Sequence, residues 1–174
     1  ISHEDLGGPL IHSTKNGVCH FSTKNDRECI EKIKALLSYL PDSCQSPLPI
    51  LDQGDTADRI LPELDHIIPD EPSRGYDMKE IIREIADCGQ FIEPHEGWAQ
   101  NIIVAFIRIM GQPVGVIANN PKFYAGVLDV QASDKAARFV RFCDAFNIPL
   151  LTLADVPGYL PGSRQEQLGI ISHG

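Results

Sequence analysis

An α/β fold is predicted for residues 76–174, because strand-like and helix-like patterns alternate there. Residues 101–109 are rich in Ile, Val and Phe, a β-favouring composition. Gly111-Gln112 can turn that strand, and residues 114–118 return as its partner. Between Ser133 and Phe146, apolar residues recur at helical spacing. Residues 149–154 then read as a buried strand. The order strand, strand, helix, strand implies an antiparallel pair. A helical crossover then leads to a third strand, parallel to the second and connected right-handedly.

Each element has a local reason. Residues 9–22 read as a hairpin, since Asn16-Gly17 accepts the positive φ of a tight turn. The next helix is capped by Asn25, with Glu28 completing a capping box. Ile30, Ile33, Leu36, Leu37 and Leu40 form its apolar face, and Pro41 ends it. Residues 41–75 hold Pro41, Pro47, Pro49, Pro62, Pro69 and Pro72 and show little periodicity. They read as a connector, pinned by Ile60-Leu61 and Ile67-Ile68. A second capping pattern, Asp77 with Glu80, opens a helix whose apolar face is Met78, Ile81, Ile82 and Ile85, with Gly89 as its stop. Residues 91–93 suit a short strand. Residues 119–132 are irregular. Ser133 is taken as the cap of the crossover helix, which turns Phe139, Val140, Cys143 and Phe146 inward and stops at Asn147. Ser163 and Glu166 form a third capping box at the last helix.

Composition narrows the function. The formal charge of −9 over 174 residues disfavours a nucleic-acid partner, which would need a basic face. The longest apolar run, 102–107, is strand-sized, so membrane insertion is not expected. Residues 1–5 have neither the basic end nor the apolar core of a signal peptide. The five cysteines are odd in number and lack C-x-x-C spacing, which points to free thiols and away from a disulfide framework or zinc site. His12 and His20 flank Cys19, a pattern that hairpin alternation explains without a metal.

The segment richest in chemistry is the 155–162 loop, Asp-Val-Pro-Gly-Tyr-Leu-Pro-Gly. Gly158 and Gly162 let backbone approach a ligand, and Pro157 and Pro161 fix the path. The N–H groups of Gly158, Tyr159, Leu160 and Gly162 are then free to point into a cavity, and a helix N-terminus follows. Such donors can stabilise an oxyanion. A tight turn without a ligand accounts for the same residues. Asp155 and Glu166 are alternative acid or base candidates, against roles as a backbone-bonded loop residue and a helix cap. Lys135, Arg138 and Arg141 could hold phosphates or form a solvated face. Tyr76, Trp98 and Tyr124 could stack on a ring or pack in the core.

Residues 101–116 resemble the carboxyltransferase (beta) subunit of propionyl-CoA and related biotin-dependent acyl-CoA carboxylases. So do Ala125-Gly126-Val127-Leu128-Asp129, Lys135-Ala136-Ala137-Arg138-Phe139, the 155–162 loop, Gln165-Glu166 and residues 169–174. Leu6-Gly7-Gly8, His12, Gly17-Val18 and Tyr39-Leu40-Pro41 match in the same register. The resemblance implies crotonase/ClpP-like ββα units in two halves. Residues 1–42 would end the acyl-CoA half, 43–75 connect, and 76–174 begin the carboxybiotin half. It implies carboxyl transfer from carboxybiotin to the α-carbon of a short-chain acyl-CoA through an enolate held by backbone N–H groups. In this scheme Gly158, Tyr159, Leu160 and Gly162 are donors, and Asp155, Gly158 and Gly162 line the biotin site. No metal is expected, and no CoA-binding residue is assigned. The implied partners are a biotin carboxylase and biotin carrier subunit, the acyl-CoA, and further copies of the subunit. The implied compartment is the cytoplasm or mitochondrial matrix. The family's glycine-rich segments lie upstream and downstream of this stretch. The chain, which lacks an initiator Met, is therefore expected to be an internal piece that is inactive alone and prone to self-association. Ala105 and Asn120 depart from the usual Gly and Gln. A biotin-dependent methylmalonyl-CoA or glutaconyl-CoA decarboxylase, another crotonase-type hydratase or hydrolase, and a non-catalytic folded remnant are the alternatives.

Overall fold

The structure is a computed structural model that describes residues 1–71 and 74–174; Pro72, one of the connector prolines, lies outside them. Among the described residues a four-stranded sheet runs in the order β1 (Phe91–Ile92), β2 (Ile102–Ile109), β3 (Gln112–Asn119), β4 (Leu150–Leu153). β1 and β2 pair antiparallel, as do β2 and β3, while β4 lies parallel to β3. The β2–β3 turn falls at Met110-Gly111, one residue earlier than predicted. Both residues take positive φ, 51° and 77°, which matches the twist of a tight hairpin. The buried carboxylate of Asp87 holds this turn by accepting from the N–H of Met110 at 3.0 Å and of Gly111 at 2.6 Å.

β2 is covered on both faces, which is why its apolar run is continuous. Ile103, Ala105 and Ile107 meet Met78, Ile82 and Ala86 from α5 (Met78–Ile85) and the residue after it. Val104 and Phe106 meet Phe139 and Cys143 of α6 (Val130–Ala145) and Tyr39 beyond α3 (Asp26–Leu37). Gly115 is required where α6 crosses β3, because a Cβ there would stand 2.7 Å from Cys143 Sγ. Burial pushes the Cys143 thiol up to about 12, so it is an inert core group.

Several expectations are corrected. The 9–22 hairpin is absent. Residues 3–14 form two short helices, α1 (His3–Gly7) and α2 (Pro9–Thr14). Pro9 sits at the first helical position, where its missing N–H costs nothing, and Thr14 Oγ1 bonds back to Leu10 O at 2.7 Å. Gly17 does take the positive φ, but it uses it to pass over the Trp98 ring, which a Cβ would strike. The crossover helix starts at Val130, and its cap is Asp129, which accepts from Ala132 N at 2.8 Å. Ser133 lies one turn inside, bonded to Asp129 O. Val140 is exposed, while Phe139 and Cys143 are buried as predicted and Phe146 packs beside them. β4 is half-exposed rather than buried because it forms an edge of the sheet. Leu150, Val156, Tyr159, Leu168 and Ile171 stand exposed on and after it. In α3, Asn25 caps as expected, but Ile30, Ile33 and Leu37 face solvent and only Leu36 and the following Leu40 reach the core.

Among the described residues the connector contains one short helix, α4 (Leu64–Ile67); of the two apolar pairs, Leu61 and Ile67 are half-buried while Ile60 and Ile68 are exposed. Arg59, donating to Ile85 O at 2.9 Å, and Leu51 N, donating to Gly111 O at 3.0 Å, also tie it down. No helix among the described residues is long and apolar enough to cross a membrane.

Candidate functional site

The 155–162 loop leaves the C-terminal end of β4 and enters α7 (Ser163–Gln167). Its course is set from outside. Leu128 pairs with it as an isolated parallel bridge, donating to Gly158 O at 3.0 Å and accepting from Leu160 N at 2.8 Å. The Tyr76 hydroxyl donates to Asp155 Oδ2 at 2.7 Å. Burial and that carboxylate hold the Tyr76 phenol well above its ordinary range. A Cβ on Gly126 would lie 2.6 Å from Asp155 O, so glycine lets the two loops touch.

Two sequence readings change here. The Leu160 N–H is not free, because the bridge to Leu128 consumes it. Ser163 and Glu166 do not form a capping box: α7 begins after Gly162 with no side-chain cap, and Gln165 Oε1 instead accepts from Val130 N at 3.1 Å. The N–H groups of Gly158, Tyr159 and Gly162 have no acceptor among the described residues, and all three residues are exposed. Gly158 and Gly162 adopt φ of 142° and 136°, open to glycine and strained for other residues. A Cβ at either would meet nothing within 4 Å. These glycines therefore serve backbone direction, not close packing within the chain. Beside the loop, Asp155, Val156 and Pro157 line a groove with Tyr76, Pro121 and Lys122.

The other candidates separate. Lys135 is neither a phosphate ligand nor solvated. It is fully buried, and Nζ donates to Trp98 O and Ile102 O at 2.9 Å and to Ala99 O at 3.4 Å. Burial lowers its ammonium to about 8, against the pull of nearby Glu93. Arg138 reaches Gly17 O at 3.1 Å, and Arg141 is exposed. Trp98 is in the core, Tyr124 is exposed, and Tyr76 holds the loop. The sequence reading missed two buried polar groups. Glu93, 2.7 Å from Lys79, sits near Lys135. Asn101, Asn119 and Asn120 cluster at the open end of the β2–β3 hairpin. Their only sequence signal was a polar residue at each end of an apolar run.

This arrangement defines a class: a crotonase-like α/β scaffold that offers backbone donors at the C-terminal end of a parallel edge strand. It superposes on transcarboxylase 12S, solved as a hexamer assembly with methylmalonyl-coenzyme A and methylmalonic acid bound, at a TM-score of 0.96. The two are 41% identical over 100% of this chain and 34% of the other. A single-chain, multi-domain long-chain acyl-CoA carboxylase gives a TM-score of 0.83 at 27% identity, over 99% of this chain and 17% of that one. All of residues 1–174 match the carboxyl transferase domain, and the chain belongs to that family. It is 50% identical to the propionyl-CoA carboxylase beta chain of Roseobacter denitrificans and 47% identical to the methylmalonyl-CoA decarboxylase subunit alpha of Veillonella parvula. Each match covers 100% of this chain and 34% of the relative. The chain thus spans about a third of the length of these relatives.

Proposed function

We propose that this chain is the stretch of a biotin-dependent acyl-CoA carboxyltransferase that lines the carboxybiotin side of its active site. The whole-length family match carries the reading. The donor set of the loop supports it: three N–H groups without an acceptor among the described residues suit an oxygen that gains negative charge. Carboxybiotin, carried on a partner protein, would supply the activated carboxyl group. Gly158, Tyr159 and Gly162 would hold its ureido oxygen, and Asp155, fixed by Tyr76, would set the start of the loop. The acceptor is a short-chain acyl-CoA of the propionyl-CoA type. Residues 1–42 close the acyl-CoA half, 43–75 connect and 76–174 open the carboxybiotin half. Turnover belongs to a longer subunit that works as a homo-oligomer with a biotin carboxylase and carrier, in cytoplasm or mitochondrial matrix.

The test replaces the corresponding third of the Roseobacter propionyl-CoA carboxylase beta chain with residues 1–174. The chimera is expected to carboxylate propionyl-CoA in a biotin-dependent manner, and a folded chimera without transfer would overturn the proposal. Within it, Gly158→Ala is expected to lower kcat about 10²-fold with KM for propionyl-CoA little changed. The φ of 142° strains alanine and turns a donor away. The similarity to the Veillonella decarboxylase subunit favours a second reading, in which the same site removes the carboxyl group from methylmalonyl-CoA. Both readings use the same reversible half-reaction between carboxybiotin and the CoA ester, so the partner separates them: co-purification of the full-length subunit with a biotin carboxylase supports the first, and with a membrane pump subunit the second.

A further inference from the structure

We infer that Asn101 and Asn119 are positioning residues for the donor loop, acting through a strap formed by residues 126–129. The inference rests on the proposed role of that loop for its meaning in catalysis, but not for its geometry.

The strap has two occupied edges. On one, Asn119 Nδ2 donates to Gly126 O at 3.0 Å, and Asn101 Nδ2 donates to Val127 O at 2.7 Å and reaches Asp129 Oδ1 at 3.3 Å. On the other, Leu128 alone makes both bonds to the donor loop, to Gly158 O and from Leu160 N. Gly126 and Val127 thus give their carbonyls to the asparagines, and the next residue, Leu128, turns to the loop. The asparagines are rigidly placed. Asn101 precedes β2, Asn119 ends β3, and Asn120 N donates to Asn101 O at 2.9 Å, closing the hairpin end. Asn101 is 2% exposed and Asn119 is 6% exposed, so no water competes easily for their amides.

The strap needs such holding. It is entered through Tyr124, Ala125 and Gly126, three successive residues with φ of 50°, 52° and 73°. Left-handed backbone at two non-glycine residues persists only where the surroundings impose it. The turn's own bonds run from Gly126 N to Phe123 O and from Val127 N to Tyr124 O, and the amides of Asn119 and Asn101 grip the carbonyls of Gly126 and Val127 at its exit, fixing where it leads. The donor loop, exposed and carrying two glycines, has little packing of its own; Tyr76 holds its start at Asp155, and the strap positions the donor stretch from Gly158 to Leu160.

A matched pair of isosteric substitutions tests this. Asn119→Asp removes the donor to Gly126 O. Asn120→Asp buries the same new charge at the next residue of the same hairpin end, but keeps the side-chain bond Asn120 makes, Oδ1 accepting from Met78 N. Its Nδ2 has no partner among the described residues. Amide hydrogen exchange of the 174-residue chain is followed by NMR. Asn119→Asp is expected to speed exchange at Leu128 and Leu160 about tenfold or more, while the β2–β3 ladder amides report an intact fold. Asn120→Asp is expected to leave those two amides within about twofold of the parent chain. Asn119→Ser, which removes the amide without adding charge, replaces the first variant if its ladder is lost. Equal deprotection in both Asp variants, or none in either Asn119 variant, overturns the inference. In the chimera the Asn119 variant is further expected to lose kcat with KM retained. Deprotection without that loss would leave the positioning intact and count against the loop's catalytic role, so the two failures are distinguishable.

Discussion

Arg108 sits inside β2 at 3% exposure, and its hydrogen bonds run to carbonyls, not to a carboxylate. It donates to Pro49 O at 3.0 Å, to Gly111 O at 2.8 Å and to Ser38 O, with its guanidinium 4.6 Å from the centre of the Tyr39 ring. One side chain therefore joins the end of α3, the connector and the β2–β3 turn. Arg108→Leu takes the guanidinium donors from Pro49 O and Ser38 O and leaves Gly111 O with Leu51 N alone, and is expected to cost about 2–4 kcal/mol. Arg108→Lys is expected to recover less than half of that, because an ammonium cannot reproduce the planar fork. Urea unfolding of the three chains checks both, and a Leu variant with parental stability would remove this account. Neither Arg108 nor Lys135 could be assigned from the sequence, for one reason. Their acceptors are backbone carbonyls, at 38, 49 and 111 for one and at 98, 99 and 102 for the other, and a carbonyl has no side-chain identity to read. The donors of the 155–162 loop were legible as glycines between prolines. The loss of the Leu160 N–H to Leu128 was not, since that contact spans 32 positions of backbone pairing.

At the level of elements, the strands of the sheet were legible as apolar, β-favouring runs and the helices from 26, 78 and 130 as apolar residues at helical spacing, each bounded by a cap or a turn. Errors fell where a pattern lacked a core to anchor it. Residues 10–13 read as a strand because Asn16-Gly17 suits a hairpin turn, but none of α2 is buried, so no core face holds it as a strand, and Pro9 starts a helix. The caps show the same limit. Ser133 and Asp129 both suit the cap position, and only the structure shows the carboxylate of Asp129 taking both Ala132 N and the Asn101 amide. Asp129→Ala is expected to destabilise the chain by about 1–2 kcal/mol, with Ser133→Ala costing less, about 1 kcal/mol for its bond to Asp129 O. Urea midpoints of the two variants check the assignment, and a larger loss for Ser133→Ala would restore the sequence's version of the helix start.

Across the whole molecule, the N-terminal segment is not a separate body: it is packed on the sheet through an imidazole and indole cluster. The His20 and His95 rings lie 4.1 Å apart, and His95 meets the Trp98 ring edge at 5.6 Å. His95 N donates to His20 O at 2.8 Å, and Arg138 reaches Gly17 O from α6. Burial lowers the His95 imidazole to about 4, with the positive charges of His20, Arg138 and Lys135 acting in the same direction; burial and Arg138 lower His20 as well. The sign follows directly. Between the unfolded value near 6.5 and the folded value near 4, the unfolded chain binds the His95 proton and the folded chain does not. Stability held above pH 6.5 is therefore lost progressively as pH falls toward 4, by up to about 3 kcal/mol for this residue. Carboxylates titrate in the same range, so the measurement is a difference: the melting temperature of the parent chain against His95→Gln at pH 7.5, 6.0 and 5.0. The gap between the two curves is expected to shrink or reverse on acidification, because glutamine keeps a polar group there without a proton to gain. Curves that fall in parallel would place the acid sensitivity elsewhere. The same scan followed by hydrogen exchange is expected to show residues 17–21 opening before the β2–β3 ladder, since the imidazole contact belongs to that seam and not to the core beneath it.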